Sequence, residues 1–232
     1  MKKNNQPQVN QRRTFLKQFA TGAAVLGTGM LSAPLQLAAA DISSPDVSEA
    51  DAWFNKLKGK HKIVFDVTQP HEIFPFAWPK VFLLTNGATG TPENDCGVVV
   101  VLRHASIPYT MGSQLWEKYK FGEVFKIDDA ATKAPATANP FWQPKPGTYK
   151  IPGIGEVQIG INELQASGVM FCVCDAAMTV YSAVVAGQMK QDPADIKKEW
   201  LAGLLPGIQP VPSGVWAVGR AQEHGCAYCF VA

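Results

Sequence analysis

Gly97-Val98-Val99-Val100-Val101-Leu102 is the stretch of the sequence that decides the fold. It contains no polar residue and most of it is β-branched, a composition typical of a strand buried on both faces of a parallel sheet. A second stretch of the same kind, Val169-Met170-Phe171-Cys172-Val173-Cys174, occurs further along the chain. Segments with helical patterns flank both stretches. The sequence therefore predicts a parallel sheet with helices packed against it.

Predicted strands and predicted helices alternate along the rest of the chain. The strands are predicted at residues 63–67, 97–102, 169–174, 208–211 and 226–231, and the helices at 76–86, 113–119, 161–167, 176–189, 193–201 and 213–223. Right-handed crossovers between parallel strands place helices on both faces of such a sheet. We therefore predict an α/β fold, a three-layer α/β/α sandwich with a mainly parallel five-stranded sheet.

Two segments fall outside this alternation. Residues 126–155 are rich in Ala, Pro, Thr, Lys and Gly, with Phe141 and Trp142 isolated among them. This composition predicts an inserted loop within one domain at residues 61–232, and the two aromatic side chains are expected to cover a pocket or to meet a neighbouring subunit. Residues 41–60 are polar and are predicted to be a lead-in segment.

Residues 1–40 have the pattern of a twin-arginine signal peptide. Arg12 and Arg13 are followed by Phe, Leu and Lys, then by an uncharged, Gly-containing stretch that ends in three alanines before Asp41. The alternative, a membrane anchor, is disfavoured because glycines and Pro34 make this stretch a poor spanning helix. We expect export through the twin-arginine translocase, a periplasmic or otherwise exported domain and no stable membrane span in its mature form. Cleavage and retention of the signal both remain open.

The charge balance changes when this segment is set aside. Five of the 21 basic residues and none of the 19 acidic residues lie in residues 1–40, which leaves 16 basic and 19 acidic residues and a net charge of −3. No cluster of Lys and Arg remains that could neutralise a row of phosphates. Nucleic-acid binding is therefore not expected.

Four motifs along the chain carry a resemblance to a known family. They are Val98-Val99-Val100-Val101-Leu102-Arg103-His104, Gly168-Val169-Met170-Phe171-Cys172-Val173-Cys174-Asp175, Leu204-Leu205-Pro206-Gly207-Ile208-Gln209-Pro210-Val211-Pro212-Ser213-Gly214-Val215 and Gln222-Glu223-His224-Gly225-Cys226-Ala227-Tyr228. These motifs resemble those of the DsrE/DsrF-like family, and the resemblance covers roughly residues 61–232. In that family the corresponding segments form a five-stranded α/β/α sandwich, often assembled as trimers or hexamers, so the resemblance implies a homo-oligomer. Family members that carry sulfur hold a persulfide on a cysteine at the end of the third strand, and Cys174 matches that position.

Cys174 is also the candidate thiol centre by its position in the chain. It follows a predicted buried strand and precedes a predicted helix, so it should lie at the carboxyl edge of the sheet, where open α/β folds place their ligands. The positive end of the following helix would favour the thiolate, which is the nucleophile in persulfide and disulfide exchange. The alternative is a small buried apolar side chain. Core packing is the favoured role for Cys172, whose side chain leaves the same face of the strand.

Two histidines are expected at the same edge as Cys174. His104 follows the second predicted strand and His71 follows the first, and imidazole can act as a base or as a metal ligand near neutral pH. Together with the thiol they would form a pocket able to hold a thiolate or a soft metal. A hydrogen-bonded loop histidine is the alternative, which is favoured for His71. The identity of a metal or another cofactor is left open.

Charged residues beside these groups complete the predicted site. Arg103 could pair with an anionic substrate, and Glu72 and Asp175 could accept hydrogen bonds from the imidazoles. Cys226 and Cys229 form a C-x-x-C pair within a predicted strand, where side chains three residues apart point to opposite faces, so this pair is weak evidence for redox activity.

The sequence thus leaves alternative functions open. A glycine-rich phosphate loop does not follow the first predicted strand, and no G-x-S-x-G motif occurs, which argues against dinucleotide enzymes and serine hydrolases. The first hypothesis is an exported protein that handles sulfur or thiol groups through Cys174, supported by His104. The alternatives are a non-catalytic module that binds a metal or small ligand, and an oligomeric assembly partner without chemistry. Whether the protein is an enzyme stays open.

Overall fold

The computed structural model describes residues 46–231, and the predicted signal segment at 1–40 lies outside them. The five strands of its main sheet are β1 (His61–Val67), β2 (Cys96–Leu102), β5 (Met170–Cys174), β6 (Ile208–Val211) and β7 (Ala227–Val231). They form one all-parallel sheet in the order β6-β5-β2-β1-β7, which confirms the predicted α/β fold. A separate short hairpin consists of β3 (Lys150–Ile151) and β4 (Gly155–Glu156).

Eight α-helices lie in the described residues, and most of them follow the predicted alternation. The 3-10 helix His104–Thr110 and the short helix at Phe121–Phe125 were not predicted. Among residues 46–231, no helix has both the length and the apolar character needed to cross a membrane. The helices are α1 (Val47–Phe54), α2 (Phe74–Ala88), α3 (Ser113–Tyr119), α4 (Phe121–Phe125), α5 (Ile161–Ala166), α6 (Asp175–Met189), α7 (Pro193–Ala202) and α8 (Gly214–Glu223).

The valine-rich stretch lies at the centre of the sheet. All seven residues of β2 are buried, because β1 and β5 flank the strand and helices cover both of its faces. The parallel register places Leu102 beside Val67 on one side and beside Val173 on the other. The carboxyl ends of β1, β2 and β5 therefore meet at one edge of the sheet.

Each face of the sheet packs into its own hydrophobic core. The smaller core contains alternate strand residues such as Val99, Val101 and Cys172 and is covered by residues of α1 and α8. The larger core contains the other strand residues, among them Val100 and Val173, and is covered by the remaining long helices and the 3-10 helix. A side chain at the end of a strand is thus assigned to a face by its position in this alternation.

The insertion contributes to the larger core. Ile127, Ala136, Phe141 and Tyr149 are buried there. The rings of Phe141 and Phe76 of α2 lie with their centroids 4.2 Å apart, and Phe141 also stacks on Tyr149. Residues 126–149 are therefore folded against the sheet layer and do not form a free loop.

Candidate functional site

Cys174 is the last residue of β5 and the N-cap residue of α6. Its Sγ accepts a hydrogen bond from the backbone N–H of Ala177, at an N···S distance of 3.3 Å. The residue is 7% exposed, so the sulfur lies just beneath the surface. The start of α6 thus directs a backbone N–H donor at the sulfur. The predicted position at the strand end and helix start is the observed one.

Arg103 lies beside Cys174 at this edge. It follows β2 directly, and since Leu102 is opposite Val173 the next pair along the two strands is Arg103 and Cys174. Both side chains fall on the face of the smaller core. The pKa of Arg103 is raised mainly by its hydrogen bonds to Asp66, and the nearby Tyr228 and Cys174 side chains contribute in the same direction. The guanidinium and the thiol are therefore within electrostatic reach of each other.

Asp66 holds this arginine through two hydrogen bonds. Arg103 Nε donates to Asp66 Oδ1 at 2.6 Å, and Nη2 donates to Oδ2 at 2.9 Å. The Tyr228 hydroxyl donates to the same Oδ2 at 2.9 Å. Within residues 46–231, Nη1 of Arg103 has no hydrogen-bond partner, and 26% of the side chain is exposed. Arg103 is thus a paired cation whose outer nitrogen remains available to an anion.

Asp66 and Tyr228 are not among the site residues predicted from the sequence. A signal for Asp66 was present, because a carboxylate inside the apolar stretch 63–67 must find a partner when the strand is buried. That partner is Arg103, which directly follows the next strand, β2. Tyr228 could not be found in this way, since its role depends on β7 pairing with β1.

His104 is turned towards α6. It adopts a left-handed backbone conformation with φ of 54°, which is uncommon outside glycine, and its ring is exposed. The hydroxyl of Tyr181 lies 3.4 Å from His104 Nδ1 and 3.5 Å from Nε2. No hydrogen bond in the described part of the chain joins His104 to Cys174. The two residues share a sheet edge, but their side chains have different partners.

His71 is exposed and packs edge-on against Phe74, with ring centroids 5.0 Å apart. Between residues 46 and 231 it forms no hydrogen bond with His104 or Cys174, so the structure does not link the three predicted side chains. In the same region no group of three or more His, Cys, Asp or Glu residues could hold a metal ion.

Asp175 points away from the thiol beside it. Its carboxylate is fully buried, and Oδ2 accepts a hydrogen bond from Lys197 Nζ of α7 at 2.8 Å. Burial raises the pKa of Asp175, and the Lys197 ammonium opposes that shift. Oδ1 has no hydrogen-bond partner within the described part of the chain. The partner of Asp175 is therefore a lysine and not a histidine.

The other cysteines are less suited to chemistry than Cys174. Cys172 is completely buried, and this burial raises the pKa of its thiol. Burial raises the pKa of Cys226 to about 11. Cys226, directly before β7, belongs to the smaller core, while Cys229 in β7 packs against the larger one, so the two thiols of the C-x-x-C pair lie on opposite faces of the sheet. All five cysteines are free thiols.

Comparisons with known proteins gave matches among solved structures. No protein-family model matches the chain. No curated protein matches it either. Among solved structures, the chain is similar to a protein of unknown function, MTH1491, from Methanobacterium thermoautotrophicum, with 14% sequence identity, a TM-score of 0.39, and coverage of 74% of this chain and 100% of that chain.

Proposed function

We propose that this protein is an exported, DsrE-like protein that handles sulfur or thiol groups through Cys174. The observation that carries the proposal is the position of the Cys174 sulfur at the start of α6, where it accepts the Ala177 N–H. Cys174 is also the one thiol of the described residues that caps the N-terminus of a helix. The twin-arginine pattern of residues 1–40 supports a site of action outside the cytoplasm.

The reaction is transfer of a sulfane sulfur between thiols. The Cys174 thiolate attacks the terminal sulfur of a donor persulfide, R–S–SH. A bond forms between Sγ and that sulfur, the S–S bond of the donor breaks, and the donor leaves as the thiolate R–S⁻. Cys174 then carries the persulfide and its proton, and no external oxidant is needed. Transfer to an acceptor thiolate reverses the same steps.

Arg103 supports this reaction as a binding group. Its charge is held in place by Asp66, while Nη1 has no partner in the described part of the chain and can donate to a negatively charged donor or leaving group. His104 is exposed at the same sheet edge, and its imidazole can form a hydrogen bond to a donor molecule bound there. In this proposal Cys174 is the nucleophile, and Arg103 and His104 bind the donor molecule.

Persulfide loading tests the proposed function. The full chain is incubated with inorganic polysulfide and then separated from excess reagent. Its intact mass is measured by mass spectrometry before and after incubation with an acceptor thiol. We expect the wild type to gain one sulfur atom and to lose it to the acceptor. Cys174→Ser should abolish the gain, whereas the control Cys229→Ser, which removes a partly exposed thiol, should leave it unchanged. Equal loading of wild type and Cys174→Ser would refute the proposal.

Self-association is the second part of the proposed function. Residues 176–189 of α6 contain no charged side chain, although Val180 and Val184, one turn apart, are exposed. Exposed apolar side chains on a helix face that carries no charge are typical of a face covered by another protein chain. We therefore propose that copies of the chain associate through the outer face of α6, which begins at the proposed nucleophile.

A further inference from the structure

A cavity of about 500 Å³ lies between the insertion and the loop that follows β1. Its walls come from residues 70–73, from the end of the 3-10 helix and from residues 126–149. Cys174, His104 and His71 do not line it. Its volume falls in the range of pockets that enclose small molecules. The cavity is therefore separate from the thiol centre, and nothing in the proposed sulfur chemistry uses it.

Tyr109 supplies an unpaired polar group in this cavity. Its side chain is 1% exposed and lines the cavity wall. The neighbouring Tyr149 hydroxyl donates to the carbonyl of Pro140 at 2.6 Å, but the Tyr109 hydroxyl has no hydrogen-bond partner among residues 46–231. Burial raises the pKa of Tyr109, so the hydroxyl stays protonated and can donate. Buried hydroxyls are normally paired, and this one faces an open space.

The cavity has an aromatic wall and a rim that carries both signs of charge. Phe141 and Tyr149 stack with ring centroids 4.9 Å apart and form part of that wall. Glu72, Asp128 and Asp129 are the acidic lining residues, and Lys126 and Lys133 are the basic ones.

Asp129 is fixed as an anion near the rings. Its Oδ1 accepts the N–H groups of Thr132 and Ala131, and the bond from Thr132 is the largest cause of the lowered pKa of Asp129. The charge of Asp129 adds to the effect of burial in raising the pKa of Tyr149. The negative charge of Asp129 thus lies near the aromatic wall of the cavity, where it can pair with a cation.

We propose that this cavity binds a small zwitterion of the amino-acid type with an apolar or aromatic side chain. The ammonium group of the ligand pairs with Asp129, its carboxylate lies towards Lys126 or Lys133, and its side chain packs on Phe141. Tyr109 donates its hydroxyl hydrogen to an oxygen of the ligand. Both signs of charge at one rim recognise a zwitterion better than a simple amine or a simple acid. This site does not depend on Cys174.

Three probes of one shape test the ligand class. L-Phenylalanine carries both charges, phenethylamine carries the positive charge, and 3-phenylpropionate carries the negative charge. The full chain is labelled with ¹³C in its five tyrosine rings, and each probe is titrated while NMR spectra are recorded. We expect saturable shifts of the Tyr109 and Tyr149 resonances with L-phenylalanine, with a dissociation constant on the order of 1 mM or lower, and several-fold weaker binding of the other two.

Two conservative variants test the site. Tyr109→Phe keeps the ring and removes the hydroxyl, and we expect about fivefold weaker binding of L-phenylalanine. Asp129→Asn keeps an acceptor for the N–H groups of Ala131 and Thr132 but removes the charge, so it should weaken binding similarly. Tyr119→Phe is the matched control, because the Tyr119 hydroxyl bonds to Glu199 and does not line the cavity.

Each remaining outcome overturns the proposal. No saturable shift with any probe up to about 10 mM would mean that the cavity is not a site for this class of ligand. Equal affinity for L-phenylalanine and phenethylamine would show that the site does not recognise the carboxylate, which contradicts the proposed zwitterion. Binding that Tyr109→Phe and Tyr119→Phe change equally would place the ligand outside the cavity.

Discussion

Asp66 and Arg103 form a pair that orders the carboxyl edge of the sheet. The Asp66 carboxylate is 2% exposed, and three hydrogen bonds from Arg103 and Tyr228 replace the water that it loses on folding. A buried carboxylate without such partners is costly. The pair therefore fixes the guanidinium beside Cys174 and ties β1, β2 and β7 together at their ends.

Removing this carboxylate should destabilise the fold and free the arginine. For Asp66→Ala we expect a loss of about 2–3 kcal/mol in the free energy of unfolding, less than for a fully buried pair because Arg103 is partly exposed to water. Tyr228→Phe removes one hydrogen bond to the same carboxylate and should cost about 1 kcal/mol. Urea unfolding monitored by tryptophan fluorescence measures both. Equal stability of the wild type and Asp66→Ala would contradict the structural role of the pair.

Asp175 and Lys197 form a second buried ion pair, in which the carboxylate is only partly hydrogen-bonded. One carboxylate oxygen of Asp175 is paired and the other is buried without a partner in the described part of the chain. Removing one member of a buried ion pair leaves the other charge without compensation, whereas replacing both can be neutral. We therefore expect Lys197→Met to lower stability by roughly 1–3 kcal/mol, because the buried carboxylate loses its partner, and the double variant Asp175→Asn/Lys197→Met to be nearly as stable as the wild type. A double variant no more stable than Lys197→Met alone would contradict this.

The same carboxyl group predicts a dependence on pH. Burial raises the pKa of Asp175 above its ordinary value of 3.8. As pH rises above that value, the unfolded chain releases this proton more readily than the folded one, so the contribution of Asp175 to stability falls. Stability of the wild type should therefore decline relative to Asp175→Asn as pH rises from about 4 through the raised pKa. Parallel stability curves for the two proteins over that range would rule this out.

At the scale of elements, α8 approaches the sheet closely at its first residue. A Cβ on Gly214 would lie 2.5 Å from Cβ and Cδ of Arg103, whereas a Cβ on Gly219 in the same helix would meet no atom within 4 Å. Glycine at position 214 therefore allows the start of α8 to pack against the arginine stem. Gly219 has no such role.

Two glycine substitutions in this one helix should have opposite effects. Gly214→Ala should displace Arg103 from Asp66 and cost about 1–3 kcal/mol of stability. Gly219→Ala should stabilise the protein by about 0.5–1 kcal/mol, because alanine restricts the unfolded chain and favours helix. Thermal unfolding followed by circular dichroism compares the two. A stabilising Gly214→Ala would show that α8 does not pack as closely as the structure indicates.

The sequence predicted elements better than it predicted side-chain partners. The valine stretch at 97–102 became the fully buried central strand because burial on both faces leaves a local signature. The path of residues 126–149 over the larger core was not foreseen, since their composition resembles that of a loop while Phe141 and Tyr149 are buried. Cys174 was placed correctly at a helix start, but the partners of Arg103 and Asp175 depend on register and helix packing, which have no local signature.

At the level of the whole molecule, the proposed self-association rests on the charge-free outer face of α6. Val180 on this face is 51% exposed, and Val215 on α8 is 70% exposed on the other side of the sheet. We expect Val180→Asp to shift the protein from an oligomer to a monomer in light scattering coupled to size-exclusion chromatography. Val215→Asp is the matched control and should leave the molar mass unchanged. A monomeric wild type, or an oligomer that survives Val180→Asp, would contradict the proposed interface.

The proposed role of Cys174 is tested most clearly by finding which cysteine carries the added sulfur atom after loading. The folded chain is exposed to less than one equivalent of polysulfide, its thiols and persulfides are blocked, and peptides covering the five cysteines are quantified by mass spectrometry. We expect to find most of the added sulfur on Cys174. Sulfur found mainly on Cys229, or on Cys174 only after the protein has been unfolded, would contradict it.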